Sequence, residues 1–415
     1  MNTKKNKTKK NNTQKKISNT DIAIIGIGLK VPGADNTSEF WDNIKNGKNF
    51  IIDFPENREK DVRYESSVEK KYDNFLKGGC LKEIDKFDYN FFKLYPKEAS
   101  LTDPNQRLFL EVAWSCLEDA GYGGDKLANS NTGFYVGFSK SPELFLYSDL
   151  VKQEDISALR NIAWIGNLDE MVASRISYFL NLHGPSLLVN TACSSSLVAL
   201  HLACQAIKND DCDQAVVGGI NIALQKPEDG ITLQIESPDS RIRPFDNKAN
   251  GVVWGEGVIA ILIKSAAKAI KDNDNIYAVI KGSAINQDGK SAGITAPNPN
   301  AQSEVIRKAW HNANINPETI SCIEAHGTGT RIGDSIEIEG LSNAFSSFTD
   351  NKQFCAIGSV KSNIGHLKAA AGLASLVKLI MALKNKEIPP TINFSRPNRE
   401  INFENSPVYI SDRDG

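Results

Sequence analysis

Residues 189–207 read Val-Asn-Thr-Ala-Cys-Ser-Ser-Ser-Leu-Val-Ala-Leu-His-Leu-Ala-Cys-Gln-Ala-Ile, and the group able to do chemistry there is Cys193. Before it, 186–190 has the apolar, β-branched character of a short buried strand. After it, Leu197, Leu200, Cys204 and Ile207 fall at i, i+3, i+7 and i+10, one face of a helix. Thr191, Ala192, Ser194, Ser195 and Ser196 are all small, so the chain can turn sharply from strand into helix at Cys193. Free backbone N–H groups and the positive end of the helix dipole then point at the thiol. Such a place is expected to lower a thiol pKa from about 8.5 towards neutrality and to make a thiolate nucleophile. The same N–H groups can hold an oxyanion. Cys204, on the apolar face, reads as a core cysteine, the commoner fate of a free Cys.

Two histidines can serve that thiol. His326 ends the apolar run 322–325 and opens His326-Gly-Thr-Gly-Thr330, where glycines clear space and threonines offer hydroxyls. His366 ends Lys361-Ser-Asn-Ile-Gly-His366 and leads into a helical pattern over 367–383. Asn190-Thr-Ala-Cys193 and Asn363-Ile-Gly-His366 enter their helices alike. This predicts an internal duplication, with two halves related by a pseudo-twofold axis that brings Cys193 and His366 towards one pocket. Singly, each histidine is more often structural; together they form a Cys-His-His set. Two neutral imidazoles facing a thiolate suit carbanion chemistry on a thioester. The thiolate takes an acyl group, and the imidazoles stabilise the enolate left when a second thioester loses CO₂. Lys361, Asp334 and Glu337 are candidates for the charged support; the alternative is an ion-pair network of structural value only.

The elements that must position these groups alternate. Strands are expected over 21–28, 133–138, 214–224 and 257–264, and a long helix over 103–121 with Asp103 as cap and Pro104 in the first turn. A shorter helix is expected over 40–46 and an irregular, charged excursion over 51–81. A similar set begins again with strands over 276–286, 322–325 and 354–360 and helices over 300–312 and 367–383. Alternation of this kind implies largely parallel sheets with helices between them. Gly26-Ile-Gly28 lacks the third glycine of a dinucleotide loop and reads as a strand-end turn.

Of 415 residues, 40% are hydrophobic and 24% charged, with a net charge of −2, so neither nucleic acid nor an anionic membrane is implied as a partner. The seven cysteines show no zinc-type spacing, and without a secretion signal they suggest a reducing, cytoplasmic setting. No run reaches the ~18 apolar residues of a membrane span. The first sixteen residues hold seven Lys and no acid, a disordered tail.

With these residues laid out, the chain resembles the β-ketoacyl synthase (ketosynthase) domain of a modular type I polyketide synthase. The motifs that carry the resemblance are the two elbows, 103–121, Asn286-Gln-Asp-Gly289, Thr295-Ala-Pro297, Glu324-Ala-His-Gly-Thr-Gly-Thr-Arg-Ile-Gly-Asp334 and 358–366. It implies an α/β thiolase-like fold with two βαβαβαββ halves in a layered αβαβα arrangement. The division expected is a tail over 1–19, an N-terminal half over 20–275 with the nucleophile, and a C-terminal half over 276–415 with both histidines. It further implies a homodimer and decarboxylative Claisen condensation in polyketide or fatty acid biosynthesis. No cofactor or metal is expected; the substrates are acyl groups on the phosphopantetheine of an acyl carrier protein. By motif position Cys193, His326 and His366 are catalytic, Lys361 supports them, Asp334 and Glu337 fall on acidic positions, and Thr328 and Thr330 line the pantetheine channel.

The chain also departs from the family. The segment 225–243 matches poorly, Ser240 stands where glycine is usual, and Trp254 stands where arginine is usual. The second half is expected to lack its last two strands and the glycine-rich turn between them, which carries an oxyanion donor in the family. Two outcomes follow from that expectation: a working ketosynthase, or a truncated, inactive fragment that serves at most as a dimerisation partner. A thiolase or chalcone-synthase-like enzyme fits the His326 loop less well, and a cysteine hydrolase lacks an orienting acid or amide beside either histidine.

Overall fold

The apolar runs of β1 (Ile22–Lys30) and of 257–265 have no polar face to offer water, so neither suits an amphipathic helix. They pair antiparallel inside one sheet, with almost every residue buried. The computed structural model describes residues 18, 20–58, 77–139, 160–222 and 235–412. All of the tail but Ser18, the middle of the 51–81 excursion and much of the 225–243 segment lie outside the described residues.

After β1 come α1 (Thr37–Lys45), β2 (Ile51–Ile52), β3 (Gly78–Gly79), α2 (Pro96–Leu101), α3 (Pro104–Asp119), β4 (Thr132–Phe138), α4 (Arg160–Ile165) and α5 (Met171–Leu180). Then follow β5 (Ser186–Val189), α6 (Ser195–Lys208), β6 (Gln214–Asn221), β7 (Gly257–Ser265), α7 (Ala266–Lys271) and β8 (Ala278–Ile280). The remainder holds α8 (Pro299–Ala313), β9 (Cys322–Glu324), α9 (Arg331–Phe345), β10 (Cys355–Gly358), α10 (Lys361–Ile364), α11 (Ala371–Asn385) and β11 (Val408–Ile410). The cap of α3 is as expected: Asp103 accepts the Asn105 N–H at 2.8 Å.

The first sheet runs β5-β4-β6-β7-β1-β8, with β7 and β8 antiparallel to their neighbours. The second runs β11-β10-β9, all parallel. On the outer face of the first sheet, α3 and α5 bury Phe109, Val112 and Ile176 against Ile25, Val136 and Leu262. Its inner face receives α6 and α11, through Ala199, Ala203, Leu373 and Val377. Beyond the second sheet, α8 and α9 supply Trp310, Leu341 and Phe345. The layers are therefore α, β, α, β, α, as in a thiolase-like fold.

Three expectations need correction. The sheets are not largely parallel, since β6-β7, β7-β1 and β1-β8 all pair antiparallel in the first sheet. The strand expected over 276–286 shortens to β8, which joins the first sheet: Ile22 faces Ile280 and Ile24 faces Ala278. The apolar outer edge of β1 is the better partner for Ala-Val-Ile. Among the described residues the second sheet has no counterparts of β6 and β7. Gly26 and Gly28 do not end β1 but lie within it. They are bare because α3 presses on them: a Cβ on Gly28 would stand 2.3 Å from the Val112 carbonyl oxygen.

Ser240 explains its own oddity, with a backbone φ of +54°, where a side chain costs about 1–2 kcal/mol. Ser240→Gly is expected to stabilise the protein by about 0.5–1 kcal/mol, once the greater entropy loss of glycine is subtracted. Gly28→Ala is expected to destabilise it by about 1–3 kcal/mol, because helix backbone rather than a flexible side chain must move. Urea midpoints at constant slope would measure both.

Candidate active site

Cys193 sits in a 3-10 turn, Ala192–Ser194, between β5 and α6. The turn is strained at Ala192, whose φ is +54°, and two hydroxyls brace it. Ser195 Oγ accepts the Thr191 N–H at 2.9 Å and donates to the Ala192 carbonyl at 2.6 Å; Ser194 Oγ donates to the Thr191 carbonyl at 2.8 Å. Gly137 of β4 lets the start of α6 approach closely, since a Cβ there would meet the Ser196 nitrogen at 2.5 Å. Ser196 Oγ accepts the Leu373 N–H at 3.3 Å, which ties α6 to α11 and so links the two elbows. Along α6, Leu200, Cys204 and Ile207 are buried as the spacing predicts, whereas Leu197 is 45% exposed.

The His366 elbow is built differently. After β10 the chain makes the single helical turn α10, and a 3-10 turn, Lys368–Ala370, precedes α11. His366 is almost wholly buried. Its N–H donates to the Val253 carbonyl at 2.7 Å, and its carbonyl accepts the Gly255 N–H at 3.0 Å. Its Nδ1 accepts the Lys368 backbone N–H at 3.1 Å. A backbone N–H can only donate, so the proton of the neutral ring lies on Nε2. The His326 ring stands edge-on to it, with centroids 5.3 Å apart.

Glu337 clasps the His326 loop by accepting the N–H groups of His326 at 2.6 Å and Gly327 at 2.8 Å. Asp334 accepts those of Phe245 at 2.7 Å and Gly329 at 3.2 Å. Thr328 and Thr330 share a hydroxyl–hydroxyl hydrogen bond of 3.2 Å at the half-buried mouth of the loop. Beneath the histidines lies Lys361, 2% exposed, with no ion pair among the described residues.

The electrostatics follow from burial. Desolvation, then the Lys361 charge, pushes His366 well below the usual imidazole value. The same two causes lower His326, although the residue is exposed, which softens the effect. Desolvation raises Glu337, and it raises Asp334 to about 7 against the pull of its hydrogen bonds. Lys361 is lowered by desolvation, which outweighs the attraction of Glu324, Glu337, Cys193 and Asp334.

The thiol corrects the expectation of an acidified cysteine. Desolvation raises its pKa and outweighs Lys361, Lys368 and the backbone N–H.

Sequence reasoning assigned no role in the site to four residues that the structure places there. Glu324 and Lys378 form a buried ion pair of 2.7 Å, and the same carboxylate accepts the Val360 N–H, which joins the end of β9 to the start of α10. Their signal was a lysine on the apolar face of α11 and an acid two positions before His326. Trp254 stands beside His366, with ring centroids 5.4 Å apart, and Lys368 lies over Trp254. Among the described residues no group of His, Cys, Asp and Glu could hold a metal, and no helix is long and apolar enough to cross a membrane.

Comparison with known proteins assigns the class. The β-ketoacyl synthase N-terminal domain matches residues 19–269 and the C-terminal domain residues 277–395. The chain belongs to the β-ketoacyl synthase family. Within it, the relatives are polyketide synthases. It is 42% identical over 402 residues to polyketide synthase PksL of Bacillus subtilis (strain 168), covering 94% of this chain and 9% of that synthase. To the highly reducing polyketide synthase cla2 of Cladosporium cladosporioides it is 39% identical over 389 residues, covering 92% of this chain and 16% of that protein. The chain thus spans a small part of these relatives. The ketosynthase from module 6 of the bacillaene synthase of Bacillus subtilis 168 superposes with a TM-score of 0.84 at 42% identity, covering 94% of this chain and 66% of that one. Ketosynthase twelve of the bacillaene synthase of Bacillus amyloliquefaciens superposes at 0.85 with 35% identity, covering 95% and 70%.

A raised thiol pKa fixes the pH dependence of modification. Cys193 is held protonated at neutral pH, so its alkylation by iodoacetamide, followed by mass against Cys193→Ala, should keep rising through the ordinary thiol range of about 8–9. A plateau reached near neutrality would show an acidified thiol instead.

Proposed function

We propose that this chain is a condensing acyltransferase of polyketide assembly, with Cys193 as nucleophile and His326 and His366 as paired hydrogen-bond donors. The observation that carries the reading is the state of His366: Lys368 fills Nδ1, Nε2 keeps its proton, and burial keeps the ring neutral. A neutral N–H donor suits a thioester carbonyl that gains negative charge. An imidazolium is not needed, and the buried Lys361 opposes one.

In the first step the Cys193 sulfur attacks the acyl thioester. The S–C bond to the pantetheine breaks, and the departing thiol takes the proton. In the second step a malonyl thioester loses CO₂, and its carbonyl becomes an enolate held by the two imidazoles. The enolate carbon attacks the acyl-Cys193 carbonyl, a C–C bond forms, and the Cys193 sulfur leaves as a thiolate that takes one proton from solvent, the proton consumed in the decarboxylative step. Lys361, Asp334 and Glu337 act as positioning residues, the two acids through the loop amides they hold. Thr328 and Thr330 offer hydroxyls to the pantetheine arm. The partner is an acyl carrier protein or domain.

A homodimer fits the surface. The outer edge of β5 has no partner strand among the described residues, and Leu187, Leu197, Leu202 and Tyr178 are exposed. A twofold pairing of β5 edges would cover both the edge and its apolar flank. The halves 20–275 and 276–415 would each supply one elbow, and the chain would act in the cytoplasm.

Intact-protein mass after incubation with an acyl-pantetheine thioester tests the first step. An acyl-sized gain, absent in Cys193→Ala, is expected. His366→Ala should still load but should lose about 10²–10³ in condensation with malonyl-carrier protein, the effect of one lost oxyanion donor. A folded protein that never loads, or an alanine variant that condenses normally, would sink the reading.

A further inference from the structure

A cation without a counter-ion among the described residues stands beside the proposed reactive pair. The Lys368 ammonium lies 5.2 Å from the centre of the Trp254 ring, and that ring lies 5.4 Å from His366. The turn Lys368–Ala370 packs on the turn Ala192–Ser194, which carries Cys193. Among the described residues no carboxylate reaches ion-pair distance of Lys368. Glu236 accepts the Trp254 Nε1–H at 3.3 Å and so fixes the indole on which the ammonium rests.

The wall beside the reaction centre is therefore a flat aromatic face with a hydrogen-bond donor above it. An ammonium has three N–H donors, and an aromatic face satisfies it only in part. A saturated acyl chain passing over this wall would strip water from the ammonium and return nothing. A chain with an oxygen in its first few carbons would return an acceptor, while its carbons lie along the indole. A carboxylate would fit the charge, but it would sit against the apolar ring at a desolvation cost that a neutral oxygen avoids.

We infer that Lys368 is a specificity-determining residue: it donates to a neutral oxygen close to the thioester of the acyl group on Cys193, as in a 3-hydroxyacyl chain. Trp254 is the surface along which that chain lies. The inference rests on the acyl-acceptor reading of Cys193 given above and adds the class of acyl group.

The test compares loading of 3-hydroxybutyryl-pantetheine and butyryl-pantetheine onto the full chain, by intact mass over time. Wild type should prefer the hydroxylated thioester by about tenfold, the worth of one hydrogen bond to a charged group. In Lys368→Met the ratio should fall to about one, and Lys368→Arg should keep most of it. Loss of the charge also acts on the Cys193 thiol, but that effect is common to both thioesters and cancels in the ratio. A wild-type ratio near one, or a ratio unchanged in Lys368→Met while loading persists, overturns the inference and leaves the acyl-acceptor reading standing. Loading of neither thioester overturns that reading, and this one with it. The wild-type ratio alone is decisive if a variant fails to fold.

Discussion

A buried ammonium is the hardest group in this molecule to accommodate, and the site is arranged around it. Lys361 is 2% exposed, yet no acid approaches it closely enough to form an ion pair among the described residues. Burying an isolated charge is costly unless opposite charge surrounds it. Here Glu324, Glu337 and Asp334 all attract Lys361 from a distance. Each of those acids is engaged elsewhere: Glu337 with the His326 and Gly327 amides, Asp334 with those of Phe245 and Gly329, and Glu324 with Lys378 and Val360. Distance keeps the charge unquenched, and an unquenched charge opposes protonation of both histidines. A tight salt bridge at Lys361 would stabilise the lysine and remove its effect on the imidazoles.

The same economy governs the backbone. The two elbows face each other because α6 and α11 cross at the middle of the molecule, held by the Ser196 hydroxyl on the Leu373 amide. The Cys193 turn holds a left-handed Ala192 and two serine braces, whereas the His366 turn is preceded by α10 and pinned by two backbone hydrogen bonds to residues 253 and 255 and by the Lys368 N–H on the ring nitrogen. The duplication conserves position and not detail. In the proposed function one elbow offers a sulfur to an incoming acyl group, and the other hides a ring and fixes its tautomer. Strain suits the first task and saturation with hydrogen bonds suits the second.

Most of this frame was legible in the sequence, for reasons of period and composition. The helix 104–119 was readable from Asp103 and Pro104, and β1 and β7 from uninterrupted apolar runs. The duplicated elbows were readable because strand, small-residue turn and helix occur twice. The partner of β8 was not: three residues, Ala-Val-Ile, suit any apolar edge, and only the three-dimensional arrangement decides which edge is free. Gly26 and Gly28 misled because a glycine pair in a strand signals a turn as readily as a close helix contact. The sequence shows the elbow that would acidify Cys193 but not how far the folded chain desolvates the sulfur, and that desolvation acts in the opposite direction. Lys378 and Lys368 were passed over because a helix pattern does not distinguish a lysine that reaches solvent from one that is buried or rests on an indole.

The raised thiol and the lowered imidazoles are two consequences of desolvation, and together they restrict the chemistry the site can support. A resting thiolate–imidazolium pair, which a cysteine hydrolase uses, is disfavoured at both ends: burial holds the proton on sulfur, and burial, then the Lys361 charge, keeps it off nitrogen. Exchange of one thioester for another needs no such pair. It begins and ends with one thiol and one thioester, so the proton only moves from the entering sulfur to the departing one. Decarboxylation likewise makes its carbanion by losing CO₂ rather than by surrendering a proton, so no general base is required. What both steps need is a donor to a carbonyl oxygen that gains charge, and a neutral Nε2–H in a water-poor crevice is such a donor. Neither step therefore needs a resting thiolate–imidazolium pair, and the one proton consumed in condensation goes to the departing Cys193 sulfur.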